Sequence, residues 1–209
     1  MGGYFQTTKT DAGWNYNVGK SAWNIDVLAY KEIAQLPTPI QDRFISDMAQ
    51  NRHFKDRYVE WVNNILKNGT KNVELEKTLT WLSPSLIKEL KKENYKIDSP
   101  IVVISDRRVG HSGMNKNKGQ ALSKTEYLQI YNIVNNPDEV YYDYTQGPDV
   151  KQIAFVKLIP NSDKCIKVCV RFNQKSRFKY RKQLVNQVTT VGKVNYDSLK
   201  DQKHFKKIK

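Results

Sequence analysis

Apolar and polar side chains alternate along the segment Cys165-Ile-Lys-Val-Cys-Val-Arg-Phe-Asn173. Such alternation is typical of a β-strand that has one buried face and one exposed face. We expect the apolar residues of the segment to pack against helices, so that Lys167 and Arg171 project in line from the opposite, uncovered face. Two aligned cations on an uncovered sheet face form a site of the size of a phosphate. The alternative interpretation is that both are only the solvated side of an amphipathic strand.

The same strand carries the two cysteines of the chain, Cys165 and Cys169. Residues on one face of a strand are spaced too widely along it to make a good disulfide. We therefore expect free thiols that pack as small side chains.

Further strands are predicted around this segment, with turn residues between them. They cover Glu139–Tyr144, Gln152–Leu158 and Asn186–Val191. The short connection Pro160–Lys164 predicts that the second and third strands form an antiparallel hairpin. Ahead of these strands, Ser123 and Glu126 have the spacing of a capping box, which predicts a helix that ends near Asn135-Asn-Pro137.

The first half of the chain is predicted to be helical. A long amphipathic helix is expected from Pro39 to Asn68, with a break around His53, which is interpreted as a solvated residue. Further helices are expected over Asp26–Ala34, Leu75–Leu82 and, after the cap Ser83-Pro-Ser, Ser85–Glu93. The first 25 residues show no period and are expected to form an irregular arm. Its Trp14, Tyr16 and Trp23 dock on the protein itself or, alternatively, stack on a base.

These patterns predict an α+β fold with a boundary near Asn94–Pro100. Residues 1–97 would form the irregular arm and helical segment. Residues 98–209 would form a basic domain, with an antiparallel sheet of about four to five strands packed on helices on one face.

The charge of the chain is strongly positive and unevenly spread. The 209 residues carry a net charge of +14, with a pI near 9.6. Residues 1–97 hold 14 basic and 11 acidic residues, net +3, whereas residues 98–209 hold 21 and 10, net +11. This imbalance indicates a polyanionic partner, either nucleic acid or an anionic membrane surface.

Several functional classes are disfavoured by the sequence. No apolar run approaches the roughly 20 residues of a membrane span, and the start lacks the form of a signal peptide. We therefore expect a soluble protein that is made in a cytoplasm. The sequence contains no His-Glu-x-x-His, no paired Cys array and no Gly-rich phosphate loop. We expect neither a metal nor a cofactor.

A histidine follows the apolar run Ile101–Ile104, which predicts a buried strand that leads into a polar loop. His111 lies there among cations that include Arg108. Neighbouring cations keep an imidazole uncharged near neutral pH and attract phosphate, so His111 is a candidate for acid/base chemistry on nucleic acid. The alternative is an ordinary loop histidine on a basic surface. Tyr142 and Tyr144 are candidates for stacking on a base, or structural tyrosines.

The order of these elements resembles the phage-associated branch of the barnase/EndoU/colicin/RelE-like nucleases. The resemblance includes the strand that ends in Ile104-Ser-Asp106 and His111 followed by Lys116 or Lys118. It continues through the next helix and Asn135-Asn-Pro137-Asp-Glu-Val140 into the cation-bearing hairpin. It ends at the Asn186-Gln-Val-Thr-Thr190 strand.

The upstream part is similar to the segment that precedes this domain in Mu-like phage minor head morphogenesis proteins. That similarity is carried by Gly13-Trp-Asn-Tyr-Asn-Val-Gly19, by Trp23 and by the predicted helices up to Leu90.

The nuclease resemblance implies metal-independent RNA cleavage, in which the 2'-hydroxyl attacks the adjacent phosphate. It implies His111 as general acid/base, Lys118 and Arg171 as transition-state cations, and Thr190 as an orienting hydroxyl. The residues expected to contact substrate are Lys116, Lys167, Thr189, Arg108 and Tyr144. Sequence alone leaves open which residue faces the site within the pairs Lys116/Lys118 and Thr189/Thr190.

Three functional interpretations follow. The first is a metal-independent endoribonuclease, as a phage-derived toxin, effector or virion-associated protein, with RNA favoured over DNA. The second is a non-enzymatic phage head or packaging component that holds nucleic acid through its basic half. The third is an interaction module whose basic face binds an acidic protein, such as an immunity protein or a phage structural protein.

Overall fold

Seven strands form one mixed sheet in the computed structural model, which describes residues 5–10, 13–18, 37–50, 52–71, 73–114, 122–147, 149–177 and 184–208. The helices are α1 (Thr38–Gln50), α2 (Arg52–Asn68), α3 (Pro84–Lys92), α4 (Asp106–Met114) and α5 (Lys124–Asn135). The strands are β1 (Phe5–Thr10), β2 (Gly13–Val18), β3 (Glu76–Trp81), β4 (Ile101–Ser105), β5 (Glu139–Asp143), β6 (Gln152–Leu158), β7 (Lys164–Lys175), β8 (Leu184–Asn195) and β9 (Phe205–Lys207).

The strand order in the large sheet is β3-β4-β8-β7-β6-β5-β9. The β4–β8 pair is parallel and the other neighbours are antiparallel. The α+β class, the four strands β5 to β8 and the β6–β7 hairpin are confirmed. The predicted sheet of four to five antiparallel strands was too small, because β3, β4 and β9 extend it at both sides. Since β3 pairs with β4, the sheet crosses the predicted boundary between residues 97 and 98.

The helix predicted over Leu75–Leu82 is wrong, because Glu76–Trp81 is strand β3. The pairing register shifts between Thr78 and Thr80, so Leu79 is an extra residue in the strand. Leu79 and Leu82 are both buried in the main core. The bulge breaks the period of two and leaves a spacing of leucines that imitates one face of a helix.

The loop predicted after β4 is also wrong, since Asp106–Met114 is helix α4. Side chains at its start accept hydrogen bonds from the first backbone N–H groups: Asp106 from Arg107 at 2.7 Å, and Ser105 from Arg108 at 3.3 Å. This is a helix-start signal that the sequence contains. The glycines at 110 and 113, which disfavour helix, obscured it.

The irregular arm predicted at the start contains the antiparallel hairpin β1–β2, in which Thr7 is opposite Tyr16 and Lys9 opposite Trp14. The alternation of Trp14, Tyr16 and Val18 was the signal for β2. Trp23 and the helix predicted over Asp26–Ala34 lie outside the described residues.

Several helix ends follow their predicted caps. The long helix is divided into α1 and α2, and His53 lies in the first turn of α2. Ser83 accepts a hydrogen bond from the backbone N–H of Leu86 at 3.2 Å to start α3. At the start of α5, Ser123 and Glu126 form the predicted capping box.

The main hydrophobic core lies between the helices and one face of the sheet, called here the helical face. Val168 and Val170 of β7 contribute to it, as do Tyr58 of α2 and Tyr127 of α5. The Tyr58 hydroxyl donates to the carbonyl of Tyr127 at 2.9 Å inside this core. Burying a tyrosine together with a partner for its hydroxyl fixes how α2 and α5 pack.

The opposite face of the sheet was expected to be uncovered, and this is wrong at the β5–β6–β7 end. A 3₁₀ helix, Tyr196–Lys200, and strand β9 bring Leu199 and Phe205 against Cys165 and Cys169. Both cysteines are free and buried, as predicted, and burial raises the pKa of Cys169 to about 12. None of the helices α1 to α5 combines the length and apolar content needed to cross a bilayer.

Candidate nucleic-acid interface

An ion pair joins the start of α4 to the residues that follow β7. The guanidinium of Arg177 pairs with the buried carboxylate of Asp106. Glu76, at the start of β3 and 1% exposed, accepts hydrogen bonds from the Ser176 hydroxyl and, at 2.9 Å, from the backbone N–H of Arg177. Two buried carboxylates therefore fix the position of Ser176 and Arg177. No local pattern in the sequence indicates this cluster, whose members lie up to 101 residues apart.

The described backbone places His111 in α4. This helix packs on the helical face, where Val109 joins the main core. Arg108 is half-buried there, and burial lowers the pKa of its guanidinium. The side chain of His111 and all of Lys116 and Lys118 lie outside the described residues, so their roles stay predictions.

Lys167 does not project into solvent. Its ammonium lies 3.3 Å from the fully buried carboxylate of Asp143 and 4.7 Å from the centre of the Phe205 ring. Burial on its own would raise the pKa of Asp143, but hydrogen bonds from Thr145 and the charge of Lys167 outweigh it, so this pKa lies below its ordinary value. The charge of Lys167 is therefore paired with the buried carboxylate of Asp143.

Arg171 lies on the same face of the sheet as Lys167, closer to the end of β7. It stands between Gln152 of β6 and Gln187 of β8 and is half-buried. Within the described part of the chain, its Nε atom is buried without a hydrogen-bond partner. The other guanidinium nitrogens of this half-buried arginine are suited to an anionic ligand.

The two threonines of β8 lie at a bulge. Thr190 is opposite Cys169, whereas Val188 is opposite Val170, so Thr189 is the extra residue. Thr189 is half-buried and its hydroxyl lies 3.5 Å from the carbonyl of Cys169. Thr190 is exposed and lies on the Arg171 face. The bulge therefore separates the two threonines in a way that regular alternation could not predict.

Tyr144 lies on the other side of the sheet, packed against the main core. Its ring is stacked on that of Tyr142, with 6.3 Å between centroids and 10° between planes. Tyr144 is half-buried, and burial raises the pKa of its hydroxyl. The structure thus brings Arg171 and Thr190 to one face, whereas Tyr144 and the helix that carries His111 lie on the helical face.

Most of the acidic side chains within the segment 98–209 form ion pairs. These pairs are Asp98–Lys96, Asp106–Arg177, Glu126–Lys193, Asp138–Lys157, Glu139–Lys207, Asp143–Lys167, Asp197–Lys200 and Asp201–His204. Cations without such a partner in the described ranges include Arg107, Lys151, Arg171 and Lys175. No group of three or more His, Cys, Asp or Glu side chains suited to a metal occurs in these ranges. The excess positive charge therefore remains available to an external anion.

A comparison with curated proteins found a similar protein of a prophage. The chain is 26% identical over 199 residues to the Mu-like prophage FluMu F protein of Haemophilus influenzae, a match that covers 93% of this chain and 46% of that protein. The chain spans about half the length of this relative. No protein-family model and no solved structure matches the chain. The similarity supports a phage-associated protein.

Proposed function

We propose that this chain is a phage-derived structural component, of the head or its assembly, that binds nucleic acid through its basic sheet half. The similarity to a prophage F protein supports the phage origin. It agrees with the resemblance of residues 13–90 to the upstream segment of minor head morphogenesis proteins. The site of action would be the virion or the cytoplasm of the host bacterium.

The observation that carries the binding function is the surplus of unpaired cations. Residues 98–209 have a net charge of +11, and most of their carboxylates already form ion pairs within the protein. Internal pairing does not remove the net charge, because it uses one cation for each acid. A polyanion gains affinity from such a surface by releasing its own counterions.

A gel-shift experiment with labelled RNA and DNA oligonucleotides in chelator tests this function. The expected result is binding to nucleic acid and recovery of the oligonucleotides at full length. Absence of any shift at 50 mM salt, where electrostatic binding is strong, would overturn the proposal.

A second candidate is the metal-independent ribonuclease, and one observation favours it. Helix α5 is followed by the consecutive antiparallel strands β5, β6, β7 and β8. This is the order of helix and sheet that the nuclease resemblance implies. In this function His111 is the general acid/base and Lys118 stabilises the transition state, whereas Arg171 and Thr190 lie on the opposite face of the sheet from the helix that carries His111.

The same assay separates the two functions. Shortened RNA in chelator, lost in His111→Ala but retained in His53→Ala, would establish the ribonuclease. An acidic partner, either an immunity protein or a phage structural protein, belongs with either function. It would be detected as a chain that co-purifies at high salt.

A further inference from the structure

Two exposed lysines lie at neighbouring strand ends, Lys151 directly before β6 and Lys175 at the end of β7. The carbonyl of Lys151 accepts a hydrogen bond from the backbone N–H of Phe172 at 3.1 Å, which places Lys151 beside β7. Lys175 is three residues beyond Phe172, past the register irregularity between Arg171 and Gln174. Neither lysine forms an ion pair within the described ranges. Arg171, with its buried and unsatisfied Nε, lies between them in sequence.

The opposite end of the same strands differs in charge pattern. There Lys157 lies 2.5 Å from Asp138, and Lys193 lies 2.8 Å from Glu126. Positive charge at that end is therefore largely balanced by carboxylates. Lys164, also at that end, forms no ion pair within the described residues but follows the exposed Asp163, whereas Lys151 and Lys175 outnumber the exposed acid beside them, Asp149.

A ladder of aromatic rings adjoins these lysines. Phe172 meets Tyr95 edge-on at 5.5 Å, Tyr95 meets Tyr142 at 5.2 Å, and Tyr142 stacks on Tyr144. The ammonium of Lys151 lies 5.2 Å from the centre of the Tyr95 ring. Tyr95 and Tyr142 are buried, whereas Tyr144 is half-buried and ends the ladder at the surface.

One acid at this end of the ladder, Glu93, is already paired. Glu93 lies 2.5 Å from the ammonium of Lys206, which is itself 5.9 Å from the centre of the Tyr142 ring. A phosphate that approaches Tyr144 on the side of Glu93 therefore meets a neutral pair. The surroundings of the ring tolerate an anionic chain.

We propose that Tyr144, Lys151 and Lys175 form a track for single-stranded nucleic acid, in which one base stacks on Tyr144 and the lysines contact successive phosphates. This inference rests on the proposed nucleic-acid binding and specifies where and in which form the nucleic acid binds. Aromatic stacking requires a base with a free face, which a single strand offers and a duplex does not. Exposed lysines beside an exposed ring are the combination that such sites use.

Fluorescence anisotropy with a labelled 20-residue single strand and the matching duplex tests the track. Lys151→Gln/Lys175→Gln is compared with Lys55→Gln/Lys164→Gln, which removes the same charge from exposed lysines elsewhere. The first double variant is expected to weaken single-strand binding and to reduce the salt slope by about 1.4, whereas the second has little effect. Tyr144→Leu is expected to weaken binding about tenfold, and Tyr144→Phe to retain it. Circular dichroism confirms that each variant is folded.

The outcomes separate this inference from the proposed function. Equal weakening by both double variants, or unchanged binding in Tyr144→Leu, would overturn the track while nucleic-acid binding stands. Tighter binding of the duplex than of the single strand would also overturn it. Failure of the wild-type protein to bind either form would overturn both proposals.

Discussion

Asp106 and Arg177 form an ion pair although 71 residues separate them in the chain. The pair links the first residue of α4 to the end of β7. In the sequence, α4 is followed by residues 115–121, which contain Lys116 and Lys118. Arg177 is followed by residues 178–183, which contain three more basic residues. One buried contact therefore fixes the starting points of two basic segments relative to each other.

Arg177→Ala is expected to destabilise the protein by about 2 kcal/mol, because it leaves the buried carboxylate of Asp106 without its charged partner. Urea unfolding measures the change in the free energy of unfolding. The control is Lys96→Ala, which removes a pair whose lysine side chain is 85% exposed and is expected to cost less than about 0.5 kcal/mol. Equal stability of the two variants would contradict the structural role of the Asp106–Arg177 pair.

Asp143 is expected to contribute to acid unfolding. Its pKa is lower in the folded protein than its ordinary value of 3.8, so its stabilising effect is present above pH 3.8 and is lost as the pH falls through the folded-state pKa. Thermal unfolding between pH 2 and 7 should show a smaller pH dependence in Asp143→Asn than in the wild type. Asp163→Asn, at an exposed position, is the control. If the melting temperature of Asp143→Asn falls at low pH as much as that of the wild type, the prediction is contradicted.

Asp42 of α1 is expected to affect the pH dependence of stability in the opposite direction. Burial raises the pKa of its carboxyl, and its Oδ1 atom is buried without a hydrogen-bond partner in the described structure. A raised folded-state pKa means that the folded protein favours the protonated carboxyl. Ionisation of Asp42 therefore lowers the stability of the protein as the pH rises above 3.8. Asp42→Asn is expected to raise the melting temperature at pH 7 and to have little effect near pH 3. A lower melting temperature at pH 7 would show that the charge is stabilised by other groups.

Asn186 has a structural role at the start of β8. It is fully buried, donates to the carbonyl of Ser99 at 2.6 Å and accepts from the backbone N–H of Asn173 at 3.3 Å. Asn186→Ala leaves both backbone groups unsatisfied and is expected to cost about 2 kcal/mol in urea unfolding. Gln187→Ala, at the half-buried neighbouring position, should cost clearly less. A reversed order would contradict this assignment.

Local sequence signals predicted the parts of the fold that depend on local interactions. The caps at Ser83 and Ser123 fixed two helix starts, and the alternation along residues 165–173 identified β7. Strand β3 was missed because the bulge at Leu79 destroys its period. Helix α4 was missed because its glycines outweighed the Ser105 and Asp106 cap signals.

The candidate site was less predictable, because its geometry depends on pairs distant in sequence. Alternation places Lys167 and Arg171 on one face but does not show that Asp143 binds Lys167 or that β9 covers it. The register of β7 against β8 decided the positions of Thr189 and Thr190. Lys151 and Lys175 became candidates only because neither forms an ion pair in the described part of the chain, which composition does not reveal.

The salt dependence of nucleic-acid binding tests the central claim most directly. The account predicts that the logarithm of the association constant for a single-stranded oligonucleotide falls linearly with the logarithm of salt concentration, with a slope of about −2 or steeper, as expected for three or more phosphate contacts. A slope near zero, or no measurable binding at 50 mM salt, would contradict it.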